Sequence, residues 1–226
     1  SLFYLNQSYL HMNPNHECLE EFYSIQGESS YTGLPCIFIR LTYCNLRCSY
    51  CDTEYAFYDG KDIAIDDILL EIKKYPTNLV MVTGGEPLIQ DYCINLMEKL
   101  IIENYSVMLE TSGSMKLDKV PKEVVKIVDF KCPSSNMMEK NDWKILSDIK
   151  KNDEIKFVIG DKADYKWSKE MIAKHKLNKL CPILFSPVYS IMDIKDLSKW
   201  ILKDGINVRL QSQLHKHIWG PETKGV

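Results

Sequence analysis

Two hydrophobic rhythms alternate along the chain. Short dense apolar runs, such as Ile37-Phe38-Ile39 and Leu79-Val80-Met81-Val82, are too continuous for half-exposed strands and read as strands buried on both faces. Between them, apolar residues recur at three- and four-residue spacing, as at Ile65, Ile68, Leu69 and Ile72, with Asp66 and Asp67 at the start where the helix dipole favours acids. The pattern predicts strands over 20–25, 36–41, 79–83, 106–110, 124–130, 155–159, 183–185 and 207–210. It predicts helices over 65–75, 89–103, 142–150, 162–175 and 193–203, the last capped by Asp193 and followed by Gly205. Residues 1–17 are polar and irregular and read as a loosely held leader, with Ser1 a cloning remnant.

Alternating strand and helix argue for an α/β fold with a parallel sheet of βα units, and with fewer than eight units the barrel stays shortened and open. Chemistry in such sheets sits beyond the carboxyl ends of the strands. Polar punctuation collects there, at 42–53, 84–87, 110–113, 131–135 and 186–188.

At 226 residues the chain is most simply one domain, 1–226, with 45% hydrophobic and 26% charged residues, as in soluble globular proteins. The net charge of −3 argues against a nucleic-acid binder, and no apolar run is long enough for a membrane span. No secretory signal is visible at the N-terminus, which suits a cytoplasmic location. Eight cysteines raise the question of disulfides, but three are clustered and read better as metal ligands in a reducing compartment. Cys18, Cys36, Cys93, Cys132 and Cys181 are scattered and are expected to pack as small hydrophobes.

The cluster is Cys44-x3-Cys48-x2-Cys51, directly after a predicted strand. Three thiolates on one loop can hold three irons of a [4Fe–4S] cluster and leave the fourth open to a small molecule. A zinc site or three core cysteines remain alternatives, although Asn45, Arg47, Asp52 and Thr53 make a polar setting and no second Cys-x2-Cys follows.

With Tyr50 before the last cysteine, this triplet resembles that of the radical S-adenosylmethionine enzymes, and Thr83-Gly84-Gly85-Glu86-Pro87 looks like their Gly-Gly-Glu-Pro motif. In that superfamily the open iron is chelated by S-adenosylmethionine, whose reductive cleavage gives a 5′-deoxyadenosyl radical. A narrower resemblance, from about Phe22 to Val226, is to the 7-carboxy-7-deazaguanine synthase family of queuosine and deazapurine biosynthesis. It rests on the stretches 22–28, 110–113, 131–135 and 213–220, and on Arg40 four residues before the first cysteine.

The resemblance implies a radical lyase that converts 6-carboxy-5,6,7,8-tetrahydropterin to 7-carboxy-7-deazaguanine with loss of ammonia. It implies cluster ligation by Cys44, Cys48 and Cys51 and contacts to S-adenosylmethionine from Tyr50, Cys51, Asp52, Gly84, Glu86, Gly113 and Ser134. Ile25, Gln26, Gly27, Arg40 and Thr111 would bind the pterin, Thr53 would ligate Mg²⁺, and Glu28, Lys131, Gln213 and His215 would play supporting roles. A flavodoxin or ferredoxin as electron donor and a homodimer are implied as well. Two features depart from the family pattern: Ser29-Ser30 stands where glycine is frequent, and Asp129-Phe130-Lys131 where Ser-Pro-Lys is frequent. Rival readings are an activase that makes a glycyl radical on a partner protein and a non-catalytic metal-binding module.

Overall fold

The structure is a computed structural model and describes residues 15–58 and 60–225. Its single sheet has the order β3-β1-β2-β4-β5-β6-β7-β8-β9. The strands are β1 Asn15–Ile25, β2 Pro35–Leu41, β3 Lys61–Ala64, β4 Leu79–Gly84, β5 Ser106–Thr111, β6 Val125–Asp129, β7 Glu154–Ile159, β8 Ile183–Pro187 and β9 Arg209–Leu210. From β2 through β9 every neighbouring pair is parallel, whereas β1 runs antiparallel between β2 and β3. The sheet ends at β3 and β9 rather than closing, so the expected open partial barrel is found. Both edge strands are short, which limits the backbone they offer for stray pairing.

Helices α1 Ile65–Ile72, α2 Cys93–Ile102, α3 Lys162–His175 and α4 Ile194–Asp204 connect the strands, and α5 Leu214–Trp219 follows β9. Asp193 caps α4 as expected, its carboxylate accepting from the Lys195 N–H at 2.7 Å. Several boundaries differ from the sequence reading. β1 begins at Asn15, inside the expected leader, because it pairs with β3, a four-residue strand too short to register in the hydrophobic pattern. Expected residues 1–14 of that leader lie outside the described residues. The stretch expected as a helix over 142–150 is a 3₁₀ segment, Trp143–Asp148. The second helix starts at Cys93 because Pro87–Ile89 forms a separate 3₁₀ turn. α5 lies in the tail after β9, where the hydrophobic pattern predicts no element; its six residues are too few to show a period.

Alternation along each strand sorts its side chains into two layers. Ile37, Ile39, Val80, Val82, Leu109, Val128, Phe157 and Phe185 belong to the large core shared with the helices. The opposite parity enters the concave side of the sheet. There Cys36, Leu79, Met81, Met108, Ile127 and Leu184 form a separate apolar plug. Two residues further along four of these strands the same parity becomes polar, at Thr83, Glu110, Asp129 and Ser186; Arg40 follows Phe38 on β2, and Lys156 joins them from β7. The concave side is thus apolar below and polar above, and the polar layer lies toward the carboxyl ends.

Phe157 anchors the outer core, stacked with Phe130 and edge-on to Trp167 and Phe185 at centroid distances of 6.0–6.3 Å. Phe157→Ala should lower unfolding stability by about 3–5 kcal/mol through lost burial and an unfilled cavity. Urea unfolding of the metal-free protein measures this; a loss below about 1 kcal/mol would contradict the packing described.

Candidate active site

The cysteine loop leaves β2 and is fastened at several points. Tyr43, at φ +61°, donates its N–H to the Ala56 carbonyl at 2.8 Å, and its own carbonyl accepts from the Glu86 N–H at 2.7 Å. Gly85 lies so close that a Cβ there would meet the Tyr43 oxygen at 1.7 Å, so only glycine fits. Arg47 donates to the carbonyls of Cys44 (2.7 Å) and Leu46 (2.6 Å) and stacks its guanidinium 4.2 Å from the Phe57 ring centroid. Ser49 donates from N–H and hydroxyl to the carbonyls of Ser135 and Ser134.

Cys44, Cys48 and Cys51 are partly exposed and line one cavity, whereas the other five cysteines are buried, as expected. Among the described residues no three His, Cys, Asp or Glu side chains converge on a point where one metal ion would sit. Three spaced thiols on one wall instead suit a multi-iron cluster, which takes one thiolate per iron. The Leu46 N–H already points at the Cys44 sulfur, 3.4 Å away, a contact suited to thiolate charge. Burial raises all three thiols, Cys51 to about 11, so at neutral pH they are protonated until metal displaces the protons.

Glu86 organises the wall from behind. Fully buried, it accepts from the Thr111 hydroxyl (2.7 Å) and Ser112 N–H (2.7 Å), besides the Leu88 N–H (3.1 Å). Both oxygens are therefore committed to the protein, and Glu86 does not line the cavity. It ties the 84–87 turn to the end of β5. Gly84 does line the cavity. Gly113 lies behind the wall, where a Cβ would strike the Phe130 ring at 2.5 Å. Ser134 also lies outside it; its N–H and hydroxyl both bond the Asp164 carboxylate, at the start of α3.

The cavity, about 480 Å³, extends from the cysteine loop over the polar layer of the sheet. Ile25, Gln26, Arg40 and Thr111, expected on the substrate side, all reach it, as do Tyr50, Asp52 and Thr53 of the cysteine loop. So do Glu28, Lys131, Gln213 and His215. Gly27 does not; it is covered by α5, and a Cβ on it would overlap the His215 ring at 1.9 Å. Ser29 takes φ +67°, which accounts for glycine being frequent there, and the turn is held by the Ser30 N–H on the Glu154 carboxylate at 2.9 Å.

Arg40 enters the cavity with its Nε donating to Glu20 at 2.8 Å, and the Tyr55 hydroxyl donates to the same Glu20 oxygen at 3.0 Å. Gln26 is 3% exposed; its Oε1 accepts from the Glu28 N–H, and its Nε2 has no protein partner.

Among the cavity residues that the sequence reading did not assign to the site are Glu110, Asp129, Lys156 and Lys216. Lys156, buried, pairs with Glu28 at 2.7 Å, with Glu110, and more distantly with Asp129 at 3.7 Å. Lys131 pairs with the same Asp129 oxygen at 2.9 Å, and the other, Oδ1, is buried without a partner. Burial would raise the Glu28 carboxyl, but the Lys156 ammonium overcomes it and the net direction is down. Glu110 is raised chiefly by burial, which together with the smaller effects of Glu28 and Asp129 outweighs the pull of Lys156. A charged residue at inward parity in an otherwise apolar strand was the readable signal for Glu110, Asp129 and Lys156. Lys216 carried no such signal.

A family model described as the radical SAM superfamily matches residues 38–131. A 7-carboxy-7-deazaguanine synthase of Koribacter versatilis is 47% identical over 224 residues, which cover 92% of this chain and 98% of the relative. One of Chlorobaculum tepidum is 42% identical over 210 residues, covering 92% of this chain and 96% of the relative. The crystal structure of QueE from Escherichia coli superposes with a TM-score of 0.75 at 24% identity, covering 94% of this chain and all of that one, a likeness of fold. The match in sequence over nearly the whole of both chains, with the three cysteines and the glycine turn facing one cavity, places the chain in the 7-carboxy-7-deazaguanine synthase family of radical S-adenosylmethionine enzymes.

Proposed function

We propose that the chain converts 6-carboxy-5,6,7,8-tetrahydropterin to 7-carboxy-7-deazaguanine with release of ammonia. The observation that carries this reading is one cavity with a three-thiol loop on one wall and side-chain donors and acceptors beside it, Gln26, Glu28, Arg40 and Glu110 among them. Cys44, Cys48 and Cys51 would hold the cluster, and Tyr50, Asp52 and Gly84, which line the same cavity, would border the S-adenosylmethionine. When bound, the cluster and S-adenosylmethionine supply a carbon-centred radical that removes a hydrogen atom from the substrate. The protein's own work is orientation and charge.

Arg40, held on its Nε side by Glu20, takes the substrate carboxylate. The free Nε2 of Gln26 donates to the pterin carbonyl, and Glu28 and Glu110 accept from its ring N–H groups. Ile25 and Thr111 fix the ring plane, and Gln213 and His215 cover it from α5. The Gln213 amide already donates to Glu28 at 2.6 Å. Thr53 and Asp52 offer adjacent hard oxygens, a donor set that suits Mg²⁺ keeping several waters. Glu86, Gly27, Gly113 and Ser134 act by holding the wall rather than by contact. A flavodoxin or ferredoxin supplies the electron, and the protein works as a homodimer.

The test is anaerobic reconstitution with iron and sulfide, followed by S-adenosylmethionine, reductant, Mg²⁺ and the tetrahydropterin, with products read by mass spectrometry. 7-Carboxy-7-deazaguanine should appear. 5′-Deoxyadenosine accumulating over an unchanged pterin would refute the substrate and favour an activase. Arg40→Ala should lower kcat/KM at least about tenfold, the scale of one hydrogen bond to a charged group.

Lys156→Met leaves Glu28 and Glu110 without their counter-ion and should cost about 3 kcal/mol, the lower end for a broken buried pair because Glu110 is 27% exposed. Without the ammonium both carboxyls titrate above their ordinary value, so folded protein binds protons more tightly than unfolded, and stability falls as pH rises through those values. The deficit against wild type should shrink toward pH 5 and be full at pH 8 in parallel thermal melts. A deficit independent of pH would refute the counter-ion role.

Gly85→Ala should displace the Tyr43 carbonyl and with it the start of the cysteine loop. Iron bound after reconstitution should fall well below the wild-type stoichiometry; full iron loading would show that the loop adapts.

A further inference from the structure

Asp52, the residue between Cys51 and Thr53, has both carboxylate oxygens engaged. Oδ1 accepts the Thr53 hydroxyl at 2.8 Å, and Oδ2 accepts the Lys216 ammonium at 2.6 Å. The two ends of this ion pair differ in exposure: Lys216 is 8% exposed, whereas Asp52 is 56% exposed and open to the cavity mouth. Lys216 is not a wandering surface lysine. It sits in α5, its N–H donates to the Gln213 carbonyl at 3.0 Å, and its ammonium lies 5.2 Å from the Tyr189 ring centroid. α5 is in turn fixed to the substrate loop by the Leu214 N–H on the Gly27 carbonyl at 2.9 Å and by Gln213 on Glu28. A cation built into the fold therefore already satisfies the carboxylate that accepts the Thr53 hydroxyl.

We propose that Lys216 competes with the divalent cation for Asp52, so that metal occupancy at Thr53 is opposed by this ammonium. The proposal rests on the magnesium reading of Thr53 and Asp52 given above. Two cations at one exposed carboxylate repel each other and divide its lone pairs, so the ion binds only by sharing or displacing Lys216. The competition links the metal to α5: when the ion takes Asp52, the helix loses its ionic tie to the cysteine loop. Lys216 is a positioning residue in this scheme, acting on the metal through Asp52.

Mn²⁺ serves as the probe, followed by loss of its free aqueous EPR signal in reconstituted enzyme with the cluster in its diamagnetic oxidised state. Lys216→Met should bind Mn²⁺ roughly tenfold more tightly than wild type, the size a unit charge at contact range has beside a carboxylate open to water. Lys216→Arg keeps the charge and should stay within about twofold of wild type, which separates charge from helix packing. The gain in Lys216→Met should vanish in Lys216→Met/Asp52→Asn, showing that the ion sits at Asp52. Equal or weaker binding by Lys216→Met, with Mn²⁺ still bound, would overturn the competition alone. Mn²⁺ bound by none of these proteins would overturn the magnesium reading, and the competition with it.

Discussion

Lys156 is the charge about which the cavity is assembled. Its ammonium draws together carboxylates from three parts of the chain: Glu28 from the loop after β1, Glu110 from β5 and Asp129 from β6. None of these acids could lie buried beside the others without a cation among them, because each added negative charge in a poorly hydrated site raises the cost of the next. The cluster retains an excess of acid over base even with Lys131 counted, and one Asp129 oxygen remains unpartnered. A floor of that kind favours a ligand rich in N–H and O–H donors, and Arg40 on β2 brings a guanidinium to the same cavity.

The layer beneath explains why the floor can be polar at all. Met81, Met108, Ile127 and Leu184 fill the lower concave side completely, so that water is excluded from below and the polar groups hydrate only from the cavity mouth. Strand alternation makes the change from plug to floor abrupt, since a single two-residue step separates Met108 from Glu110 and Ile127 from Asp129. Glu86 performs the complementary task at the wall: by committing both oxygens to β5 and its own turn it keeps Gly84 and Gly85 pressed against the cysteine loop.

Much of this was legible in the sequence where the physics is local. The strands with dense apolar runs and the helices with clear period were placed to within a few residues, and the glycine turn announced a close approach. β3 and α5 were missed because four and six residues carry no measurable period; β3 exists only by pairing with β1. Most of the motif residues expected at the site line the cavity. Glu86, Gly27, Gly113 and Ser134 share those motifs, yet stand behind the wall, because a motif records that residue types are needed together without saying which of them faces the ligand. Lys156 and Lys216 belong to no motif, and their roles arise from contacts across 128 and 164 positions of chain.

The open sheet has a consequence for how the site is covered. Among the described residues no strand closes the gap beyond β9, and the cover over the substrate loop is α5. Its ties to the cavity are polar: Gln213 on Glu28, Lys216 on Asp52 and the Leu214 N–H on the Gly27 carbonyl. None of them is a strand pairing, so breaking them would uncover the cysteine loop while every ladder of the sheet stays in place.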